Sequence, residues 1–315
     1  MTEFKYIVTE KDKGLSIKEL LRHNFTFSSR LMSKLKREHL IFLNGQSTAG
    51  WITPDIGDEI SVRLPEEKSD FPPEDIAITV VYEDSDIMVI NKQPGVVVHP
   101  TKGKPCHTIA NGLMKKMLDE GQSYKIRFIN RLDMNTSGLL AIAKNSHAQD
   151  SLTKQMQQNK IHKKYKAIVC GEMPFDSGTI DFPIGRPDEN EVERWVLSVE
   201  NGGYPSVTHY NVLERLPGHT LVELSLETGR THQIRVHLSY IGYPILGDHL
   251  YCHGDPFLYR KTHGDSREEI VSDLIDRQAL HAYYLSFIHP VTGERISLEA
   301  PLPEDMENAL KKINS

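Results

Sequence analysis

The 315-residue sequence lacks the features that mark membrane, secreted and disulfide-rich proteins. No apolar run approaches the ~20 residues that a membrane-spanning helix requires. Residues 1–6 contain no apolar core of the kind found in signal peptides. The three cysteines, Cys106, Cys170 and Cys252, are odd in number and form no CxxC pair, which favours reduced thiols over a disulfide framework. We therefore expect a cytoplasmic protein without a membrane association.

Several catalytic and cofactor motifs are also missing. The sequence contains no GxGxxG, no GxSxG and no HExxH, so a dinucleotide enzyme, an α/β-hydrolase and a zinc protease are unsupported. His249, Cys252 and His253 are close in sequence, but no fourth ligand follows at zinc-finger spacing. We predict neither a metal site nor a nucleotide cofactor.

Charge is unevenly distributed along the chain. The net charge of −6 argues against a protein coated in nucleic acid. However, residues 11–40 hold eight Lys or Arg against three acids, and residues 151–166 hold five Lys and no acid. Such blocks are often only solvated surfaces. Two of them in an acidic chain make a polyanionic partner a reasonable expectation.

The first 65 residues have the pattern of a small module. Residues 17–21 predict one helix, and Ser28 or Ser29 is a suitable N-cap for a second. Asn44-Gly45 after a short apolar run predicts a hairpin turn. Two short helices followed by a small sheet resemble the S4-type RNA-binding module. That resemblance implies phosphate contacts from basic side chains of the second helix, which here are Arg30, Lys34, Lys36 and Arg37. An ordinary solvated basic face is the alternative.

Residues 66–75 are charged, contain two prolines and lack periodicity, which predicts a linker. The remainder, residues 76–315, mixes predicted strands and helices without βαβ alternation. We therefore predict an α+β fold with a mixed, largely antiparallel sheet. Residues 252–275 are polar and irregular and are predicted to be an exposed insertion.

Three separate stretches of this larger part carry chemically useful side chains. Residues 128–140 place Asp133 in a turn-forming segment just before an apolar run, Leu139 to Ala143. Taken alone, that pattern favours an aspartate that accepts hydrogen bonds from turn amides. Residues 163–169 alternate as a strand that carries Tyr165. Residues 230–238 predict a helix with two Arg and two His, a cluster that packing alone does not require.

Together, the three stretches resemble the RluA-type RNA pseudouridine synthases, in the family's order over roughly residues 78 to 305. The family signature around the catalytic aspartate commonly reads His-Arg-Leu-Asp, two variable residues, then Thr-Ser-Gly. This chain has Asn130 where the family usually has His, and otherwise keeps the pattern through Gly138. Flanking pieces, residues 92–100, 246–248, 280–282 and 287–290, are similar to the family as well. Agreement of three motifs in one order is very improbable by chance.

The resemblance implies roles for individual residues. Asp133 would be the catalytic carboxylate, acting at the sugar as nucleophile or base, and Arg230 would pair with it and hold it ionised. Tyr165 would stack on the uracil and take part in proton transfer at C5. Arg131 would fill the space that a flipped base vacates. Lys163, in the second basic block, is expected to contact RNA.

The substrate that the resemblance implies is RNA, and we expect large-subunit ribosomal RNA modified by a monomer. Transfer RNA is the alternative substrate within the same enzyme class. A non-catalytic RNA-binding or ribosome-assembly factor that keeps the fold is the alternative from another class. Binding alone would not require Asp133, Tyr165 and Arg230 together.

Overall fold

The N-terminal part of the chain forms a small sheet with two helices. The computed structural model describes residues 3–25, 27–101, 103–188, 192–252 and 272–315. The first elements are β1 (Glu3–Ile7), α1 (Ile17–Phe25), α2 (Ser29–Arg37), β2 (Ile41–Leu43), β3 (Gln46–Ser47) and β4 (Glu59–Arg63). The four strands pair in the antiparallel order β1-β4-β2-β3. Asn44 and Gly45 both have positive φ, 50° and 80°, as the predicted two-residue hairpin requires. Ser28 Oγ accepts a hydrogen bond from Leu31 N at 3.2 Å and caps α2.

A ten-stranded sheet organises the rest of the chain. The strands of this part of the chain, including two that lie outside that sheet, are β5 (Thr79–Glu83), β6 (Ile87–Lys92), β7 (Arg127–Phe128), β8 (Ser137–Ala143), β9 (His162–Cys170), β10 (Ser177–Asp181), β11 (Ile184–Gly185), β12 (Trp195–Val196), β13 (Val207–Leu216), β14 (His219–Leu226), β15 (Leu280–Ile288) and β16 (Arg295–Glu299). The helices are α3 (Ile109–Asp119), α4 (Ser146–Gln157), α5 (Gln233–Tyr240) and α6 (Glu304–Ile313). Eight strands follow the order β10-β13-β14-β9-β15-β8-β6-β5, with β16 paired to β15 and β7 to β8, while β11 and β12 pair separately. Among the described pairs, β8 with β15 is parallel and the others are antiparallel. The predicted α+β class is confirmed.

Both faces of the large sheet are covered. Successive residues of β6 alternate between two hydrophobic cores, with Met88 and Ile90 on one face and Ile87 and Val89 on the other. Every residue of β8 is buried, which explains its uninterrupted apolar sequence. Helices α3, α5 and α6 contribute to the first core and α4 to the second. Within the described ranges, no helix is long and apolar enough to cross a membrane.

The N-terminal part packs against helix α4 of the larger part. Ser28 Oγ donates to Asp150 Oδ2 at 2.5 Å. The imidazole of His147 is buried edge-on against the rings of Phe4 and Phe27, with centroids 5.2 and 5.1 Å away. Burial lowers the pKa of His147, so this ring is neutral at pH 7 and suits an apolar contact. The residues of the N-terminal part nevertheless have their own core, which spans Phe4 to Leu64.

Residues 66–75 form neither helix nor strand, but they are held against the larger part. Glu67 pairs with Lys34 of α2 at 3.1 Å and also with Arg127 of β7. The hydroxyl of Ser69 accepts a hydrogen bond from Ile126 N at 2.9 Å. Phe71 packs against the main core. The segment thus contacts both parts of the chain. The domain division at residues 66–75 stays a prediction.

Candidate active site

The loop that carries Asp133 is attached to strand β8 by the side chain of Asn130. The Asn130 amide donates from Nδ2 to Leu139 O at 3.2 Å and accepts from Ala141 N at its Oδ1 at 2.9 Å. A side-chain amide thereby continues the backbone pairing of β7 with β8 into the loop. Leu132 is buried in the main core, which directs the following residue, Asp133, toward the sheet end. Asn130, the residue that departs from the family signature, thus positions the loop.

The C-terminal side of the loop is held by groups from distant parts of the chain. Lys92 is fully buried, and its Nζ donates to three backbone oxygens, one of them Met134 O at 2.8 Å. Arg277 Nη1 donates to Asn135 O at 3.0 Å, while its Nε and Nη2 bind both oxygens of Asp305. Burial lowers the pKa of Lys92 to about 7, against the opposing effect of Asp133.

Gly138, just after the loop, allows β8 to approach β15 closely. Its φ is +114°, and a Cβ at this position would lie 2.2 Å from Ala282 O. Only glycine fits such a contact in that backbone conformation. Beside it, Ser137 Oγ hydrogen-bonds His281 Nδ1 at 2.9 Å. Ser137 and Gly138, which belong to the Thr-Ser-Gly part of the signature, therefore fix the start of β8, the strand that follows the Asp133 loop.

The carboxylate of Asp133 is paired with Arg235. Arg235 Nη1 lies 3.2 Å from Asp133 Oδ2. The same guanidinium makes a bidentate contact with buried Asp248, from Nε to Oδ2 at 2.6 Å and from Nη2 to Oδ1 at 2.8 Å. Burial opposes the charge of Arg235, but the hydrogen bond and charge of Asp248 and the charge of Asp133 raise its pKa above the ordinary value. Arg235 is therefore a fixed cation that orients Asp133, whose side chain remains 27% exposed.

The predicted pairing of Arg230 with Asp133 is wrong. Helix α5 begins at Gln233, three residues later than the sequence suggested, so Arg230 lies in the preceding turn. There Arg230 is exposed, and its guanidinium carbon lies 5.4 Å from the ring centroid of Tyr204. Arg235 instead lies within the first turns of α5, whose residues 233–239 are all buried. The right motif was identified, but the cation within it was misassigned because the helix start was placed too early.

His232 is a further site residue that the sequence analysis left without a role. It has a φ of +59° just before α5, and its Nε2 lies 3.9 Å from Asp133 Oδ1. Its Nδ1 hydrogen-bonds Tyr251 Oη at 2.9 Å. Burial lowers the pKa of His232 to about 4 despite the nearby Asp133, so the ring is neutral at pH 7. A positive φ on a residue other than glycine next to a reactive carboxylate is typical of functional sites.

Asp133, Arg235 and Tyr165 line one cavity of about 380 Å³. The Tyr165 ring is only 7% exposed and lies in the main core beside the cavity. Burial, and then the charge of Asp133, raises the pKa of Tyr165, so its phenol is neutral at pH 7. A flat, uncharged ring and a carboxylate held by a cation thus line the same open pocket.

The other predicted site residues occupy different places. Arg131 and Arg230 line the same cavity and are exposed at its rim. Lys163 is half-buried on β9, two residues before Tyr165. The four basic residues of α2 lie outside the cavity: Arg30, Lys34, Lys36 and Arg37. Three of them are exposed, while Lys34 pairs with Glu67.

Two clusters in the described ranges have metal-ligand side chains, and neither borders the cavity. Asp84 Oδ2 accepts from His289 Nε2 at 2.9 Å, and His289 Nδ1 accepts from Thr292 N at 3.1 Å. In the second cluster, His107 Nδ1 contacts Glu74 at 2.5 Å and Cys106 lies close by. These groups already bind one another, and we assign no metal to them. Of the His249, Cys252 and His253 cluster considered above, His253 lies outside the described residues.

Comparison with known proteins places this site in a family. Residues 86–240 match the model of the RNA pseudouridylate synthases. An uncharacterised RNA pseudouridine synthase, YlyB of Bacillus subtilis, is 39% identical over 318 residues, covering 99% of each chain. The chain belongs to the RNA pseudouridylate synthase family. The predicted resemblance is confirmed.

Other members of the RNA pseudouridylate synthase family support the same assignment. Ribosomal large subunit pseudouridine synthase D of Neisseria meningitidis (strain Z2491) is 45% identical over 254 residues, which are 81% of this chain and 66% of that relative. The chain therefore spans slightly less than two thirds of this relative's length. A solved human structure, RNA Pseudouridylate Synthase Domain Containing 4, superposes with a TM-score of 0.58 at 26% identity. The superposition covers 75% of this chain and 92% of the human one.

Proposed function

We propose that this protein isomerises uridine in RNA to pseudouridine and that its substrate is large-subunit ribosomal RNA. The observation that carries the proposal is the partly exposed Asp133 carboxylate, held at 3.2 Å by Arg235 in a cavity that Tyr165 also lines. Membership of the RNA pseudouridylate synthase family supports the reaction. The name of the Neisseria meningitidis relative, which refers to the ribosomal large subunit, supports the choice of RNA.

The reaction needs neither redox chemistry nor an energy source. The C1′–N1 bond breaks, the uracil turns within the cavity, C5 bonds to C1′, and the proton on C5 is lost while N1 gains one. As the base departs, C1′ becomes electron-poor, as in glycoside hydrolysis, and a nearby carboxylate stabilises or captures it. Asp133 is the carboxylate that the described part of the cavity offers.

The neighbours of Asp133 suit this role. Arg235 orients the carboxylate, and because Arg235 is itself held by Asp248 it does not need to reorganise during the reaction. Tyr165 provides a buried flat face on which the uracil can stack and a hydroxyl for proton transfer at C5. Neutral His232 adds no second positive charge beside Asp133.

The target nucleotide must leave its stack to reach Asp133. A cavity of about 380 Å³ is far too small for a base-paired helix, so the uridine must enter as a flipped nucleotide. Arg131 is exposed at the rim, immediately before the loop residues Leu132 and Asp133. We assign to Arg131 the role of occupying the space that the base leaves.

We further propose that residues 1–65 are an S4-like RNA-binding module joined by residues 66–75 to a catalytic domain of residues 76–315. The exposed cations of α2 support this proposal, since such cations bind phosphates without reading sequence. One chain supplies Asp133, Tyr165 and Arg235 to the cavity, which supports action as a monomer. Cys106 and Cys170 are free thiols, which supports a cytoplasmic protein.

The test is tritium release from RNA that carries 5-tritiated uridine. We expect the wild type to release tritium from large-subunit ribosomal RNA and Asp133→Asn to reduce release by more than about 10⁴-fold, because amide and carboxylate are similar in size but the amide cannot act as nucleophile or base. RNA binding by Asp133→Asn, measured by filter retention, should remain close to that of wild type.

Each alternative has its own result. Release that persists in Asp133→Asn would remove Asp133 from the mechanism. Release from transfer RNA and not from ribosomal RNA would reverse the substrate assignment. Binding without release by the wild type would favour the non-catalytic RNA-binding factor.

A further inference from the structure

A second, larger recess begins where the catalytic cavity ends. It has an empty volume of about 1130 Å³ and lies between the start of β9, the end of β14 and the pair Tyr283 and Tyr284 of β15. We call this recess the strand groove. It shares Leu226 with the lining of the catalytic cavity, so the two spaces adjoin. When a flipped uridine enters the cavity, the neighbouring nucleotides of the RNA lie on the surface around its mouth, and the strand groove is part of that surface.

Lys163 lies at the junction of the two spaces. It is two residues before Tyr165 on β9, and alternate residues of a strand share a face. A Cβ at Gly229 would lie 3.9 Å from Lys163 Nζ, which places the ammonium beside the turn that carries Arg230. Lys163 itself lines the strand groove, whereas its neighbours Tyr165 and Arg230 line the catalytic cavity.

The lining of the strand groove also includes the charged or titratable side chains Lys164, His209, Glu227 and Glu299. Lys164 and His209 contact carboxylates, whereas Lys163 has no carboxylate partner among the described residues. Lys164 Nζ pairs with Glu223 at 3.0 Å, and His209 Nε2 contacts Glu227 at 2.7 Å. Burial lowers the pKa of the Lys163 ammonium, and no nearby charge opposes that effect. A half-buried cation without an anion is unfavourable in the free protein unless a ligand supplies the anion.

We propose that Lys163 binds an RNA phosphate next to the flipped uridine and that the strand groove receives the RNA strand on that side. This inference rests on the proposed function and names the part of its substrate that the groove holds. A phosphodiester fits because it supplies the missing anion at the mouth of the cavity. The strand that continues from it meets the tyrosine rings of β15, and aromatic side chains of this kind accept bases of any sequence by stacking.

The experiment compares Lys163→Met with Lys311→Met, which removes the same charge from the exposed side of α6. Each variant is made in full-length protein and titrated by filter binding with large-subunit ribosomal RNA at several salt concentrations. For Lys163→Met we expect about tenfold weaker binding and a salt slope smaller by about 0.7, the value for one phosphate contact on a single strand. Lys311→Met should match the wild type.

A stability measurement separates this role from a structural one. Because Lys163 has no carboxylate partner in the part of the chain that the structure describes, Lys163→Met should raise the melting temperature of the free protein, by roughly 2 °C. A lowered melting temperature with unchanged RNA affinity would show that Lys163 is structural and overturn the proposal. An affinity and salt slope equal to those of Lys311→Met would overturn it too. RNA binding does not depend on turnover. Failure of tritium release would therefore reject the proposed function, while the effect of Lys163→Met on RNA affinity could still be measured and interpreted.

Discussion

At the scale of single residues, the site depends on which arginine faces inward. Arg235 contacts Asp133 and Asp248 from within α5, while Arg230 lies exposed in the turn before it. The sequence pattern identified Asp133, Tyr165 and the segment with both arginines. It could not choose between the arginines, because that choice depends on where the helix begins, and helix ends are the least regular part of a periodic pattern.

The two arginines should therefore respond differently to substitution. Arg235→Lys removes the bidentate contact with Asp248, since an ammonium cannot reproduce a planar fork, and should lower kcat by at least about 100-fold with little change in KM. Arg230→Lys keeps the charge at the rim and should retain most of the activity. Steady-state tritium release measures both. The assignment of Arg235 would be mistaken if the two variants lost similar activity.

At the scale of elements, strand β8 and its contact with β15 hold the loop that carries Asp133. The apolar run of residues 139–143 predicted a buried strand, and the structure confirms it. The parallel pairing of β8 with β15 could not be predicted from the sequence, because no residue near Gly138 indicates that it will contact Ala282, a residue far along the chain. The helix cap at Ser28 and the hairpin turn at Asn44-Gly45 could be predicted, because each depends only on residues that are adjacent in the sequence.

Gly138→Ala tests this contact. A Cβ here would lie 2.2 Å from Ala282 O, so the strands must separate, and we expect a loss of at least about 2 kcal/mol in the free energy of unfolding. Gly121→Ala is the matched control, because Gly121 also has positive φ but no atom within 4 Å of its added Cβ. It should cost only about 1 kcal/mol. Urea denaturation followed by circular dichroism gives both values, and equal losses would mean that backbone strain alone explains Gly138.

At the scale of the whole molecule, the N-terminal part presents an unusual surface beside its basic helix. Trp51 is 76% exposed, and Lys36 Nζ lies 5.8 Å from its ring centroid. An exposed indole next to cations suits stacking on an RNA base. Its position relative to Lys36 could not be read from the sequence, because the 14 intervening residues form a hairpin and loop that bring the two together.

Substitutions at this surface should separate stacking from charge. Trp51→Ala should raise the Kd for large-subunit ribosomal RNA by at least about fivefold, since stacking on an aromatic side chain contributes roughly 1–3 kcal/mol per base. Its salt slope should stay near that of wild type, whereas Arg37→Gln should reduce the slope by about 0.7. Filter binding over a range of salt measures both effects. Unchanged affinity in both variants would contradict an RNA-binding role for this surface.

The clamp that Arg277 and Asp305 make on the Asp133 loop has a consequence for synthesis of the protein. Asn135 O receives Arg277, Gly138 pairs with Ala282, and Arg277 is itself fixed by Asp305 near the C-terminus. Contacts between such distant parts of a chain form late, after the entropic cost of closing the intervening loop has been met. A nascent chain that has not yet exposed residues 277–305 thus carries Asp133 without these contacts to its loop. The Asp133 loop therefore reaches its final geometry only after β15 and α6 have been synthesised and have packed against it.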